Sequence, residues 1–103
     1  LPRINPSAPS VEEMTERLGM TPFLDQSLST LSQGQRQRMA LVRALRKPFQ
    51  LLMLDEPFSH LDEGNQLNAC SLIEEVVRGN QAGLLVSSLG STPPITFDQR
   101  IEL

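Results

Sequence analysis

The sequence contains a single cysteine, Cys70, so no disulfide can form within the chain, and this fits a reducing compartment. Its apolar runs fall far short of the ~20 residues that a membrane-spanning helix needs. With 9 basic and 12 acidic residues, its net charge is −3, which gives no electrostatic argument for binding nucleic acid or an anionic membrane surface. Any link to a membrane is therefore expected to run through a partner.

A glycine-rich phosphate loop is also missing. No G-x-x-x-x-G-K-[ST] segment occurs, and the only lysine, Lys47, precedes Pro48 instead of standing inside a glycine loop. Such a loop surrounds nucleotide phosphates with backbone N–H groups and a lysine. The chain alone is therefore expected to be a very poor nucleotide binder.

Length and periodicity predict an α/β unit. A chain of 103 residues is one domain or part of one. Residues 1–9 are proline-rich and predict an extended lead-in, while residues 10–103 predict the folded part. Helices are expected near 10–18, 32–47 and 63–78. The last of these is expected to end at Gly79 and to have Leu67 on its apolar face. Strands are expected at 50–55, 83–87 and 97–103. The uninterrupted apolar runs 50–55 and 83–87 are typical of parallel strands that helices cover on both faces.

The segment from Leu31 to Gln35 has the composition of an anion site. A serine that opens a helix can present its hydroxyl and two or three free backbone N–H groups where the helix dipole favours negative charge. Gly34 lets the backbone approach a phosphate closely. Taken alone, Ser32 would be only a helix N-cap, but the Arg36-Gln37-Arg38 run and the strand that follows favour the anion site.

Asp55 and Glu56 end the first apolar run, at the strand edge where α/β folds bind ligands. Asp55 suits Mg²⁺ binding through a bound water, because Mg²⁺ is usually held by one or two carboxylates with waters and phosphate. Glu56 suits positioning or deprotonating an attacking water. The simpler alternative is a pair of solvated acids, which the flanking residues 51–54 and 57–59 disfavour.

The next turn, from Ser59 to Asp62, is short and polar. Asp62 is a candidate binding residue and equally a candidate N-cap of the following helix, and both roles are compatible. His60 is interpreted as a surface residue, because a lone loop histidine more often has no catalytic role. Three sulfur-containing residues are predicted to fill the core: Met39, Met53 and Cys70.

In this order and spacing, the three segments resemble the signature loop, Walker B strand and D-loop of an ABC ATPase. The resemblance implies a partial P-loop NTPase fold, with parallel strands, flanking helices and part of the helical subdomain. Residues 10–103 would form the C-terminal half of a nucleotide-binding domain. Ser32, Gly34 and Gln35 would grip the γ-phosphate of an ATP held by a partner's Walker A loop, although the family usually has glycine where this chain has Gln33.

The resemblance also implies ATP and Mg²⁺ as cofactors of the complete protein, not of this chain alone. One partner would be a second nucleotide-binding domain in a head-to-tail dimer, with Asp62 in the interface loop. The others would be membrane-spanning transporter subunits, which would hold the protein at the cytoplasmic side of the membrane. No nucleic acid is expected. At the family's switch-histidine position the chain has Ser88, which can donate a hydrogen bond but carries no positive charge. Ser88 predicts a weakened γ-phosphate sensor, unless the loop is shifted.

The leading interpretation is the ATP-hydrolysing subunit of an ABC transporter, and two alternatives stay open. A non-catalytic module with a signature loop could complete the ATP site of an intact partner. ATPases of DNA repair or chromosome organisation share similar signature and Walker B segments. The Arg36-Gln37-Arg38 run and Leu41–Leu45, which resembles the transporters' A-R-A-L, favour transport, and no heptad pattern precedes the signature as a coiled-coil arm would require.

Overall fold

A computed structural model describes residues 8–88 of the chain. Its elements are α1 (Val11–Arg17), α2 (Gln33–Leu45), β1 (Leu51–Asp55), α3 (Glu63–Asn80) and β2 (Gly83–Ser87), with two short 3-10 turns, Thr21–Phe23 and Leu28–Thr30, between α1 and α2. Most of the predicted lead-in and the predicted strand at 97–103 lie outside the described residues.

Local capping residues fix where the first two helices begin and end. Ser10 Oγ accepts a hydrogen bond from the Glu13 N–H at 3.1 Å, which caps the N-terminus of α1. Gly19 follows α1 with a φ of 71°, the left-handed conformation that glycine adopts without a steric penalty. Ser32 caps α2, and Pro48 lies three residues beyond its last residue, Leu45. The predicted starts of both helices are confirmed.

The two strands pair in parallel, as predicted. Their register runs from Leu51 opposite Gly83 to Asp55 opposite Ser87, and α3 forms the connection between them. The carboxyl ends of both strands therefore lie at the same edge of the sheet.

The prediction that helices cover both faces of these strands is wrong. Leu52 in β1 is 7% exposed, but its neighbours Leu51 and Met53 are 55% and 65% exposed. Leu85, opposite Met53 in β2, is 52% exposed. Successive side chains of a strand point to opposite faces, so in the described residues the helices cover one face and leave the other open. The prediction of Met53 as a core residue is wrong for the same reason.

Helix α3 differs from the prediction at its end and at Leu67. It passes through Gly79 to Asn80, and Gln81 caps it in the left-handed conformation with a φ of 54°. A glycine costs about 1 kcal/mol inside a helix, which tertiary contacts can offset. Leu67 is 53% exposed, whereas the buried positions are Ala69, Cys70, Leu72, Ile73 and Val76.

The core lies between the three helices and the covered face of β1. Within residues 8–88 it is formed by fifteen buried apolar residues: Met14, Leu18, Met20, Leu31, Leu41, Val42, Leu45, Leu52, Phe58, Leu61, Ala69, Cys70, Leu72, Ile73 and Val76. Met39 packs against this core while partly buried, and Cys70 belongs to it as predicted. Burial, with the charge of Glu74 as the smaller cause, raises the pKa of the Cys70 thiol from 9.0 to about 11.

None of the helices within residues 8–88 combines the length and apolar character of a membrane span.

Candidate functional site

The N-terminus of α2 is closed by a reciprocal pair of hydrogen bonds. Ser32 Oγ accepts from the Gln35 N–H at 3.1 Å, and Gln35 Oε1 accepts from the Ser32 N–H at 2.9 Å. The first N–H groups of a helix have no partner within the helix. Because this capping box satisfies those of Ser32 and Gln35, the first-turn N–H groups of α2 that it leaves for an anion are those of Gln33 and Gly34. Ser32 is thus an N-cap, and its hydroxyl hydrogen can still be donated.

Gly34 lies directly against the backbone of the turn that follows β1. A Cβ atom added to Gly34 would stand 2.5 Å from the carbonyl oxygen of His60. Carbon and oxygen atoms do not approach so closely without a shift of the backbone. The sequence suggested glycine here for access to a phosphate; the structure adds a second reason, which is the packing of α2 on residues 59–62.

Asp55 and Ser87 face each other at the carboxyl end of the sheet. Ser87 Oγ donates a hydrogen bond to Asp55 Oδ1, and Asp55 is exposed. A carboxylate has about four acceptor positions, so this bond leaves Asp55 able to accept from a metal-bound water. The site therefore offers the kind of oxygen ligand that Mg²⁺ takes. Ser88, which is exposed, follows Ser87 at the same edge.

Glu56 has a backbone conformation that residues with side chains rarely adopt. Its φ is 46°, and its N–H donates to the carbonyl oxygen of Ser87 at 2.9 Å. Left-handed residues other than glycine persist where the surroundings over-determine them, and they cluster at functional sites. The strand therefore turns sharply at Glu56, directly after the Asp55 carboxylate.

Asp62 begins α3. Its Oδ1 accepts from the Asn65 N–H at 2.8 Å, so the predicted N-cap role is confirmed. His60 is exposed, in agreement with its interpretation as a surface residue, although its backbone is in contact with α2.

Gln37 was not singled out from the sequence, yet its side chain joins α2 to the turn after β1. Its Nε2 donates to the Glu56 carbonyl oxygen at 3.1 Å and to Ser59 Oγ at 2.9 Å. Its Oε1 accepts from the His60 N–H at 3.0 Å. Gln37 lies three positions after Gly34, hence on the same face of α2, and this spacing is the signal that could have identified it.

A shallow cleft of about 200 Å³ lies between α2 and the end of β1. Its lining includes Gln37, Leu41, Met53, Asp55, Glu56 and Pro57. Pockets that hold small ligands typically measure about 300–1,000 Å³, so the cleft is smaller than a nucleotide site.

Comparison with known proteins agrees with this geometry. Residues 4–59, more than half of the chain, match the model of the family described as ABC transporter. The chain belongs to the ABC transporter family. The match includes the signature loop and the two strand-end acids, and it ends before Asp62.

Curated members of the ABC transporter family resemble most of the chain. The thiamine import ATP-binding protein ThiQ of Histophilus somni is 41% identical over 76 residues, which cover 74% of this chain and 36% of that protein. The glucose import ATP-binding protein GlcV of Saccharolobus solfataricus is 45% identical over 78 residues, or 76% of this chain and 22% of that protein. The chain thus spans well under half the length of these relatives.

A solved structure shows the same fold. The crystal structure of the complex of archaeal ribosomal stalk protein aP1 and archaeal ribosome recycling factor aABCE1 contains a chain that matches with a TM-score of 0.69 and 33% identity. The match covers 74% of this chain and 15% of that one. The fold is therefore a partial ABC ATPase fold, as predicted.

Proposed function

We propose that the chain is the C-terminal half of the nucleotide-binding domain of an ABC transporter, in a subunit that binds and hydrolyses ATP. The observation that carries this proposal is the geometry at Glu56, where a sharp left-handed turn follows Asp55 at the carboxyl end of a parallel strand pair. Two adjacent carboxylates at such an edge suit a metal-assisted hydrolysis of a phosphate bond.

Each site residue has a role in this proposal. Ser32 and Gln35 shape the N-terminus of α2, from which the Ser32 hydroxyl and the N–H of Gly34 meet the γ-phosphate of an ATP held by a second nucleotide-binding domain. Asp55 holds Mg²⁺ through water, and that ion, when bound, neutralises charge on the phosphates. Glu56 orients the attacking water and accepts its proton. Asp62 belongs to the interface loop of a head-to-tail dimer, and Ser88 takes the switch position.

The open face of the sheet supports the view that a further layer belongs to the domain. Leu51, Met53 and Leu85 are each more than half exposed and lie together on that face. Contiguous exposed apolar side chains mark surfaces that another element covers. In the proposal this element belongs to a first half that also carries the phosphate loop.

The partners proposed are membrane-spanning transporter subunits, which would place the protein at the cytoplasmic face of a membrane. The support comes from the relatives, among which are import ATP-binding proteins for thiamine, glucose and molybdenum. One solved structure with a matching chain is a complex that contains an archaeal ribosome recycling factor. This observation supports a second candidate, an ABC ATPase that acts outside transport.

The test uses a completed subunit, meaning this chain joined behind a first half that contains a Walker A loop. Glu56→Gln keeps the size of the side chain but removes its ability to accept a proton. We expect it to abolish ATP turnover down to a small residual rate while the ATP dissociation constant stays unchanged, because the carboxylate acts on the chemical step. Wild-type turnover in this variant would remove Glu56 from catalysis.

The control is the 103-residue chain by itself. It lacks the lysine and glycine loop that neutralise the β- and γ-phosphates, so we expect calorimetry to detect no ATP binding in the micromolar range. Micromolar affinity would contradict the proposal that ATP binding needs the first half.

A further inference from the structure

We propose that Gln37 is a positioning residue for ATP hydrolysis: its side chain fixes the Glu56 turn and thereby the direction of the Glu56 carboxylate. This inference rests on the proposed function, in which Glu56 acts on the attacking water. It concerns a residue of α2 that needs no contact with ATP, metal or water.

The carboxamide of Gln37 binds the segment from Glu56 to His60 through both its nitrogen and its oxygen. A glutamine side chain offers two N–H donors and one carbonyl acceptor. Here the donors reach the Glu56 carbonyl oxygen at 3.1 Å and Ser59 Oγ at 2.9 Å, and the acceptor receives the His60 N–H at 3.0 Å. Every hydrogen bond recorded for this side chain therefore ends on one five-residue segment.

The left-handed conformation of Glu56 makes the bond to its carbonyl important. A residue with a side chain favours other conformations, so a φ of 46° persists where the surrounding structure holds the peptide groups in place. The N–H side is held by Ser87 O at 2.9 Å. On the carbonyl side, Gln37 Nε2 is the closer donor, at 3.1 Å against 3.5 Å for the Ser59 N–H. Without Gln37 the Glu56 carbonyl oxygen loses its closer hydrogen-bond donor, and the Glu56 carboxylate can change its orientation.

The same side chain links this turn to the signature loop. Gly34 packs on the His60 carbonyl oxygen one helical turn before Gln37, whose Oε1 accepts from the His60 N–H. The N-terminus of α2 and the Glu56 turn are thus held together at two adjacent positions. A displacement of α2 would be transmitted to the carbonyl group of Glu56.

The test compares Gln37→Ala and Gln37→Glu in the completed subunit. Alanine removes all three hydrogen bonds. Glutamate keeps the length and an acceptor for the His60 N–H, but its carboxylate cannot donate to the Glu56 carbonyl. Misplacing a catalytic group by about 1 Å can reduce the rate about 100-fold, so we expect kcat to fall about 10- to 100-fold in both variants while KM changes less than about twofold.

Gln66→Ala is the matched control. Gln66 Nε2 donates to the Leu61 carbonyl oxygen at 3.0 Å, so it also joins a helix to the polar turn but makes no recorded bond to residues 56–60. We expect this variant to keep kcat within about twofold. An equal loss in Gln66→Ala and Gln37→Ala would overturn the proposal, because it would indicate a general effect of loosening the turn.

Combination with Glu56→Gln separates positioning from stability. If Gln37 acts through the Glu56 carboxylate, Gln37→Ala causes no further loss of residual turnover once that carboxylate is gone, since residues that act as a unit are non-additive. A full additional loss in the Glu56→Gln background would overturn the proposal. If Gln37→Ala does not fold, the same comparison is made with the equal-sized Gln37→Glu.

The outcomes also distinguish the inference from the function on which it rests. Wild-type turnover in Glu56→Gln contradicts the proposed function itself. Lost turnover in Glu56→Gln together with unchanged kcat in Gln37→Ala and Gln37→Glu contradicts only the role of Gln37.

Discussion

Two glycines at the same helical position are expected to respond differently to alanine. Gly34 is the second residue of α2, and Gly64 is the second residue of α3. A Cβ on Gly34 would stand 2.5 Å from the His60 carbonyl oxygen, whereas the nearest atom to a Cβ on Gly64 would be Asp62 Oδ1 at 3.7 Å, an ordinary contact. Gly64→Ala therefore measures what alanine contributes at this helical position without a clash.

The expected difference in the free energy of unfolding follows from comparing Gly34→Ala with Gly64→Ala. Replacing a helical glycine by alanine typically stabilises by roughly 0.5–1 kcal/mol, and this term is common to both. Overpacking typically costs about 1–3 kcal/mol, and only Gly34→Ala carries it. We therefore expect Gly34→Ala to be less stable than Gly64→Ala by about 1–3 kcal/mol in the free energy of unfolding.

Urea unfolding followed by far-ultraviolet circular dichroism measures this difference, because the chain has no tryptophan or tyrosine to report by fluorescence. The wild-type chain provides the reference, and equal denaturant slopes in the three proteins validate the comparison. Equal stabilisation of both variants would refute the close packing of Gly34 on His60. It would leave access to a phosphate as the only reason for glycine at this position.

Two further predictions concern Ser88 and Cys70. In the completed subunit, Ser88→His is expected to raise ATP turnover by up to about 10²- to 10³-fold, the usual effect of one electrostatic donor to a transition state. Unchanged turnover with unchanged folding would mean that Ser88 does not occupy the switch position. The raised pKa of the Cys70 thiol means that the folded state holds this proton more tightly than the unfolded state. Its contribution to stability is complete below pH 9 and is lost as pH rises toward about 11, and Cys70→Ala should remove that part of the slope in urea unfolding against pH.

The features that sequence reasoning identified are those that depend on neighbours in the chain. A serine cap acts within a few residues, so the starts of α1 and α2 followed from Ser10 and Ser32. The parallel pairing of two apolar runs around one helix followed from the rules of strand connection.

The features that sequence reasoning missed depend on what packs against each surface. An apolar run does not say whether one or both faces of a strand are covered, and Met53 is exposed because no described element lies over it. Gly79 predicted the end of α3, but the helix continues to Asn80 and the chain turns at Gln81. The Gln81 N–H donates a hydrogen bond to the Arg78 carbonyl oxygen at 3.0 Å. The contacts of Gln37 were not predicted because its partners lie 19 to 23 residues away.

The open sheet face and the small cleft point to the same missing structural element. Leu51, Met53 and Leu85 leave an apolar surface uncovered, and the cleft beside Glu56, at about 200 Å³, cannot enclose a nucleotide. A first half that packs on the sheet would bury these side chains and would bring a phosphate loop to the edge where Asp55 ends its strand. Burial of the apolar face and formation of the ATP site would then be one event. For this reason ATP binding and stability should be gained together when the chain is completed, and neither Asp55 nor Glu56 should be expected to act before the sheet is covered.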